Sequence, residues 1–331
     1  MTIELKTLDL TPRRQTFSHI ARRIGEGRTA SRYEEATYDL QASAHFHYRP
    51  LWAPEYEIHD TARTAIKMKD WYVFKDPRQY YYGTYNMNRA DLQKGLESGF
   101  TRVDDRDLLS KVSPEWLAKV HDYLIPARHY EWGANMNNFS VADYGYGTQI
   151  TSAAAFSAAD RLGMAQIIGR IGLLMDENSG ASLEEGKNVW LNADYWQGVR
   201  NMLEDSFVLE DWFEMFVAQN LAMDGILHPL MFQIFDEAGQ DQNGLAISMV
   251  TEFMPQWFKD NNRWVDAVIK VAAAESDENR KQLSDWYSTW SQRAETAAKP
   301  LCDHVLGDGG AAVEGLIQSL NDRAAKIGLN I

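Results

Sequence analysis

The run from Thr148 to Asp176, TQITSAAAFSAADRLGMAQIIGRIGLLMD, constrains this chain more than any other stretch. Met164, Ile167, Ile168, Ile171, Leu174 and Met175 recur at i, i+3, i+4, i+7, i+10 and i+11, which stacks them on one side of an α-helix. Ahead of them, Ala153, Ala154, Ala155, Ala158 and Ala159 present a thin surface that lets a neighbouring helix come close. Asp160 lies three residues before Gly163, so the two share a helix face. The segment reads as a core helix of a sizeable bundle.

The rest of the chain supports that reading. Between Ala127 and His228 there is no proline. Ser113-Pro114-Glu115 predicts a helix start, with Ser as N-cap and Pro at the first helical position. Further helices are predicted near 127–142, 148–177 and 189–222, with a turn at Asn178-Ser179-Gly180. Others follow near 243–272 and near 276–298, the latter capped at Ser276-Asp277 and ending before Pro300. A loop over 301–310 and a helix over 311–327 complete the pattern. Residues 1 to about 110 differ. They are basic early (Arg13, Arg14, Arg22, Arg23), then rich in aromatics, and are broken by Pro50, Pro54 and Pro77. This predicts an extended arm with short helices. Such an arm must be covered by its own bundle or by another chain, because a monomer rarely leaves so much aromatic surface bare. No fixed repeat or low-complexity linker divides the chain. The expectation is one all-α domain over 1–331, an arm (1–110) followed by a helical bundle (111–331).

Composition narrows the function. A net charge of -14 repels a phosphate backbone, so nucleic acid is excluded despite 11 Trp and 15 Tyr. Those residues suit interfaces as well as cores. The single cysteine, Cys302, permits no intrachain disulfide and suits a reducing compartment. The start of the sequence has no apolar run of a signal peptide. The window Met215–Phe235 is too interrupted by polar residues to span a bilayer. A soluble, cytoplasmic protein with no membrane partner is expected.

Several motifs fail on inspection. Gly25-Glu26-Gly27-Arg28-Thr29-Ala30 matches a dinucleotide pattern by letter, but a helix-like basic segment precedes it where a strand is required. Gly180 to Lys187 imitates a phosphate loop with one residue too many and no Ser or Thr after the lysine. Cys302, in a predicted loop, has no base to activate it. His45 and His47, with His59 nearby, could clasp a metal only from an extended segment. A structural role is the simpler reading for them, as for His129 and His228. A di-iron site in a helical bundle needs Glu-x-x-His on two helices. No glutamate here has a histidine three residues on.

The segment Phe74-Lys75-Asp76-Pro77-Arg78-Gln79-Tyr80-Tyr81-Tyr82-Gly83-Thr84-Tyr85-Asn86, flanked by Trp71 and Arg89 and by the arm around Trp52, resembles a signature of the β subunits of bacterial multicomponent monooxygenases, and of phenol hydroxylases among them. The resemblance covers essentially the whole chain. It implies a ferritin-like bundle in a hydroxylase that is a dimer of α, β and γ subunits, with the di-iron centre in α. It further implies a regulatory protein and a reductase carrying FAD and a 2Fe-2S cluster, which together turn phenols into catechols with O2 and NAD(P)H. No cofactor is implied in this chain. The α ligand pattern falls near His129 or Glu131, on Asp160 to Gly163, near Ala218, and on Gly239 to Gln242. At most two of those six positions hold a carboxylate, and neither histidine of the pattern survives. Asp160 is then expected to pair with a cation such as Arg161 or Arg170. Trp52, Tyr56, Trp71, Phe74, Arg78, Tyr80, Tyr81, Tyr82 and Tyr85 are expected at a subunit interface. The implied role is a non-catalytic structural subunit. The alternative is a self-sufficient helical metalloenzyme using His45, His47 and His59.

Overall fold

The computed structural model describes residues 16–42, 49–307 and 309–331, and its N-terminal third is more helical than the prolines suggest. Helices α1 (Ser18–Ile24) and α2 (Arg32–Thr37) are short. Gly25 ends α1 at φ +99°, so the glycine pattern that follows is a turn between helices, with no strand to serve it. Ser31 caps α2 reciprocally: its hydroxyl accepts from Glu34 N–H, and the Glu34 carboxylate accepts from Ser31 N–H. Among its described residues the proline-bearing segment then holds two single 3-10 turns, Thr61–Arg63 and Trp71–Val73. Beyond it the expected arm winds into α3 (Tyr82–Asp105), a helix of 24 residues. Its buried Leu96, Phe100 and Val103 fall at i, i+4 and i+7, a stripe too brief to stand out beside the aromatic run.

Three wide π turns lengthen the bundle. Helix α4 (Pro114–Lys119), a π turn at Val120–Leu124 and α5 (Ile125–Tyr144) follow without a break. Helix α6 (Thr148–Met175) answers the run singled out in the sequence. Helices α7 (Ala181–Asn192) and α8 (Asp194–Ser206) come next. A second rod joins α9 (Trp212–Val217), a π turn (Ala218–Met223), α10 (Asp224–Pro229), another π turn (Leu230–Ile234) and α11 (Phe235–Gly239). The chain closes with α12 (Leu245–Thr251), α13 (Phe253–Glu275), α14 (Asp277–Leu306) and α15 (Gly310–Lys326). No β-strand occurs among the described residues.

Small side chains set the closest packing. Helix α5 lies along α6 over a long contact; Ala127 and Ala134 of α5 and Ala153, Ala154 and Ala158 of α6 are buried, while Gly133 faces Leu203 of α8. Trp212, Phe213 and Phe216 of the second rod and Trp257 and Trp264 of α13 fill the space around them. One further close approach joins α3 to α12: a Cβ on Gly99 would lie 2.8 Å from the backbone oxygen of Met249. A backbone atom cannot swing aside. Gly99→Ala should therefore cost about 1–3 kcal/mol, read as a lower denaturant midpoint. An unchanged midpoint would mean that α12 moves freely.

Three predicted boundaries shift, each for a visible reason. The helix predicted over 189–222 breaks at Ala193 and again before Asp211, whose carboxylate caps α9 by accepting from Phe213 and Glu214 N–H. The same side chain accepts from Ala65 N–H at 2.7 Å and so pins the arm to the bundle. The helix predicted over 243–272 divides into α12 and α13, with Pro255 in the first turn of α13. The loop predicted over 301–310 is helical through Leu306, despite Pro300. Leu301, Cys302 and Val305 are buried and continue the stripe of Ala294, Ala297 and Ala298. Burying three apolar side chains outweighs one lost backbone bond. Cys302 is thus a core residue, and burial pushes its thiol up to about 11. No helix of the described residues is long and apolar enough to cross a membrane.

Candidate functional site

The bundle carries charge at its centre. Glu131 on α5, Arg161 on α6 and Asp224 on α10 are 0%, 0% and 1% exposed. The Arg161 guanidinium spans two helices: Nη1 donates to Glu131 Oε2 at 2.8 Å, and Nη2 donates to Asp224 Oδ2. Its face lies on the Trp257 ring, 4.4 Å from the centroid, a cation–π contact strengthened by the absence of solvent. The π turn at Ala218–Met223 contributes directly. A π turn closes on i, i+5 bonds and brings residues five apart onto one face. Gln219 Nε2 accordingly reaches Asp224 Oδ1 at 2.9 Å, and Tyr130 O–H donates to that same oxygen at 2.8 Å. Gln219 Oε1 accepts from Asn137, which also donates to Ser206.

Burial and these charges set the protonation. Burial pushes the Glu131 carboxyl up to about 7, and Arg161 offsets this only in part. Burial alone would weaken the charge on Arg161, but Asp224 and Glu131 outweigh it and hold the guanidinium above its ordinary range. Burial, aided by Arg161, drives His228 well below its ordinary value. The ring is neutral, packed against Phe258 at 4.5 Å, and neither nitrogen has a hydrogen-bond partner among the described residues. Glu131 Oε1 and Arg161 Nε also lack one.

A second cluster lies across Trp257. Its indole N–H donates to Asp160 Oδ2 at 2.8 Å. Arg89 of α3 grips Asp160 with two bonds, Nε to Oδ1 and Nη2 to Oδ2, both at 2.7 Å, and Tyr85 O–H adds a third donor at 2.9 Å. Asp160 is therefore paired, as expected, but with a different cation. Arg161 turns inward to Glu131 and Asp224, while Arg170 pairs with Glu97 at 2.7 Å. Successive helical residues point about 100° apart, so a neighbour in sequence cannot reach Asp160.

The expected interface residues divide by burial. Trp71 and Phe74 pack against Trp212 and Phe213 of the same chain. The Arg78 side chain is buried with Asp76 at 2.9 Å, and Tyr80 O–H donates to Asp260 at 3.0 Å. The surface of these four is covered by their own chain, which narrows an interface expected along the whole segment. Trp52 and Tyr82 remain 73% and 77% exposed, while Tyr56, Tyr81 and Tyr85 are partly so. Trp52 N–H reaches Tyr144 O–H at 3.0 Å. Helix α5 adds a stripe absent from that expectation: Trp132, Met136 and Phe139 are 52%, 45% and 47% exposed, at i, i+4 and i+7.

The positions pointed to by the family pattern scatter. Glu131 reaches the centre, Asp160 faces α3, and Ala218 is a buried small residue. Gly239–Gln242 sits at the end of the second rod. Arg161 and Asp224 complete the central cluster, and neither is a residue type that a Glu-x-x-His pattern contains. The signal for Asp224 is a carboxylate and an imidazole four apart, Asp224 and His228, with Gly225, Ile226 and Leu227 between them; nothing local marks Arg161. His129 stacks on Trp190 and burial lowers it to about 4. His45 and His47 lie outside the described residues. Among the described residues, no three His, Cys, Asp or Glu side chains converge to hold a metal. The donor set does not fit an iron pair, since a fixed guanidinium already fills the gap between the two carboxylates.

The family model for methane/phenol/alkene hydroxylases matches residues 52–276. The phenol 2-monooxygenase oxygenase component DmpL of Pseudomonas sp. (strain CF600) is 45% identical over 99% of this chain and 98% of its own length. The β subunit of the toluene-4-monooxygenase hydroxylase component of Ectopseudomonas mendocina is 23% identical over 78% of each chain. A chain of the xenon-pressurised phenol hydroxylase from Pseudomonas sp. OX1 superposes with a TM-score of 0.93 at 40% identity, covering 99% of both. With the same all-α, ferritin-like bundle along its length, this chain belongs to the methane/phenol/alkene hydroxylase family.

Proposed function

We propose that this chain is a non-catalytic β subunit of the oxygenase component of a phenol monooxygenase, a single domain over 1–331 that braces an iron-holding α subunit. The observation that carries the reading is Arg161 lodged between Glu131 and Asp224. Iron chemistry in such a bundle needs anionic and neutral ligands around an open space. Here a buried cation fills that space, and metal ions beside it would be repelled in a medium of low dielectric. The oxygenase role follows from the likeness to DmpL, an oxygenase component along its whole length. The complex would be a cytoplasmic dimer of αβγ. A regulatory protein would serve it, together with an NAD(P)H reductase bearing FAD and 2Fe-2S. It would convert phenols to catechols with O2.

The surface offered to α would centre on Trp132, Met136 and Phe139, with Trp52 and Tyr82. An obligate interface of over ~2,000 Å² is the expected size. Bracing has a physical purpose: ligands on another chain stay aligned only if the helices bearing them are held rigidly.

The test is to express the chain alone and together with its α and γ partners, then measure iron after chelation and phenol turnover with reductase and NADH. Iron and turnover should both require α. Trp132→Asp should weaken assembly by about tenfold or more, with this chain still folded. Stoichiometric iron retained by the chain alone would sink the proposal and favour a self-sufficient metalloenzyme.

A further inference from the structure

The centre of the bundle holds a net excess of buried acid around one cation. Glu131 and Asp224 come from different helices, and neither touches solvent. Between them the planar Arg161 guanidinium fills a slot of its own shape. Its ends are the acceptor oxygens Oε2 of Glu131 and Oδ2 of Asp224, each taking one arm of the Arg161 fork. Its floor is the Trp257 ring. Around it, Tyr130 and Gln219 hold the Asp224 carboxylate in place through its other oxygen, so that end of the slot is positioned independently of Arg161. Two acceptors that each take one arm of the fork, beside an aromatic face, match a planar, delocalised cation. They do not match a spherical ion, which would need donors on all sides.

We propose that this slot is a cation-binding site of the fold whose resident cation is the Arg161 guanidinium, and that without the Arg161 side chain it binds free guanidinium ion from solution. The consequence deepens the brace reading, and rests on it for the identity of the partner only. A subunit that carries its own central cation folds to its final shape with no metal supply. It is rigid before the partner subunit is loaded with iron.

The experiment uses the full-length chain. Arg161→Ala should melt about 10 °C below the parent protein. Guanidinium chloride, at a concentration well below that which denatures, should restore much of that loss, while the same treatment lowers the melting temperature of the parent. Sodium chloride at equal ionic strength should restore none of it. The variant Arg161→Ala with Glu131→Gln and Asp224→Asn should show no guanidinium rescue. Growth without iron, in the presence of chelator, should leave the melting temperature of the parent unchanged. If Arg161→Ala does not fold, Arg161→Lys and Arg161→Met decide the matter: lysine should melt well above methionine. Rescue by sodium chloride as large as by guanidinium, rescue in the neutralised variant, an Arg161→Ala protein as stable as the parent, or methionine equal to lysine would each overturn the proposal. These readouts involve no partner chain, so they fail separately from the subunit assignment.

Discussion

Asp160→Ala is expected to lower stability by about 3–5 kcal/mol, the range for stripping one partner from a buried ion pair. Asp160 accepts four hydrogen bonds, two from Arg89 and one each from Tyr85 and Trp257. Removing it strands a guanidinium whose side chain is only 14% exposed and leaves the Trp257 N–H without an acceptor inside the core. It also loosens α3, since Arg89 and Tyr85 anchor the start of that helix on α6, and the remaining Glu97–Arg170 ion pair between the two is more exposed. Urea unfolding should show the lower midpoint. Hydrogen exchange should show faster opening over 82–105 than in α5 or α6. Asp160→Leu combined with Arg89→Met should recover part of the loss, because two matched apolar side chains leave no charge unpaired. A midpoint within about 0.5 kcal/mol of the parent for Asp160→Ala would show the cluster to be ornamental.

The two carboxylates at the centre should respond in opposite ways to amidation. In Asp224, both oxygens only accept: one takes the Arg161 fork, the other takes Tyr130 O–H and Gln219 N–H. Asp224→Asn must turn an NH2 toward one of those donors whichever way it is oriented. A cost of about 3–5 kcal/mol follows. Glu131 has a single bond to lose, and its other oxygen is already without a partner. Glu131→Gln keeps an acceptor for Arg161 and should cost little.

Its signature is instead in pH. Burial raises the Glu131 carboxyl to about 7, so the folded protein holds a proton that the unfolded chain releases at an ordinary carboxylate pH. A raised acid stabilises the fold most below its unfolded value, and that contribution is lost as pH rises through about 7. The parent should therefore lose about 1–3 kcal/mol relative to Glu131→Gln between pH 5 and pH 8. His228, buried neutral beside the cluster, titrates alike in both proteins and cancels. Parallel stability curves across that window would refute the assignment of Glu131 as the group that gives way.

How far the sequence could be read depended on the range of the forces involved. Helix α6 was legible because its apolar stripe and alanine face are local, periodic facts. The N-cap at Ser113, the turn at Asn178-Ser179-Gly180 and the start at Ser276 were legible for the same reason. Helix α3 was hidden, since three buried residues on one face gave too weak a period beside the tyrosines. The helix beyond Pro300 was hidden because tertiary burial of Leu301, Cys302 and Val305 overrode a local breaker. The resemblance in the Phe74–Asn86 segment led to the correct family, yet much of that segment is folded into the chain's own core.

The sequence by itself determined that the chain is all-α, acidic and lacking a Glu-x-x-His ligand pair, because those are properties of residue order and composition. Only the tertiary structure decided who neutralises whom. Arg161 and Glu131 are 30 residues apart, Arg161 and Asp224 63, and Arg89 and Asp160 71. No local rule links residues at such separations. The cost of burying an unpaired charge does link them, and it is felt only once the helices have closed around it.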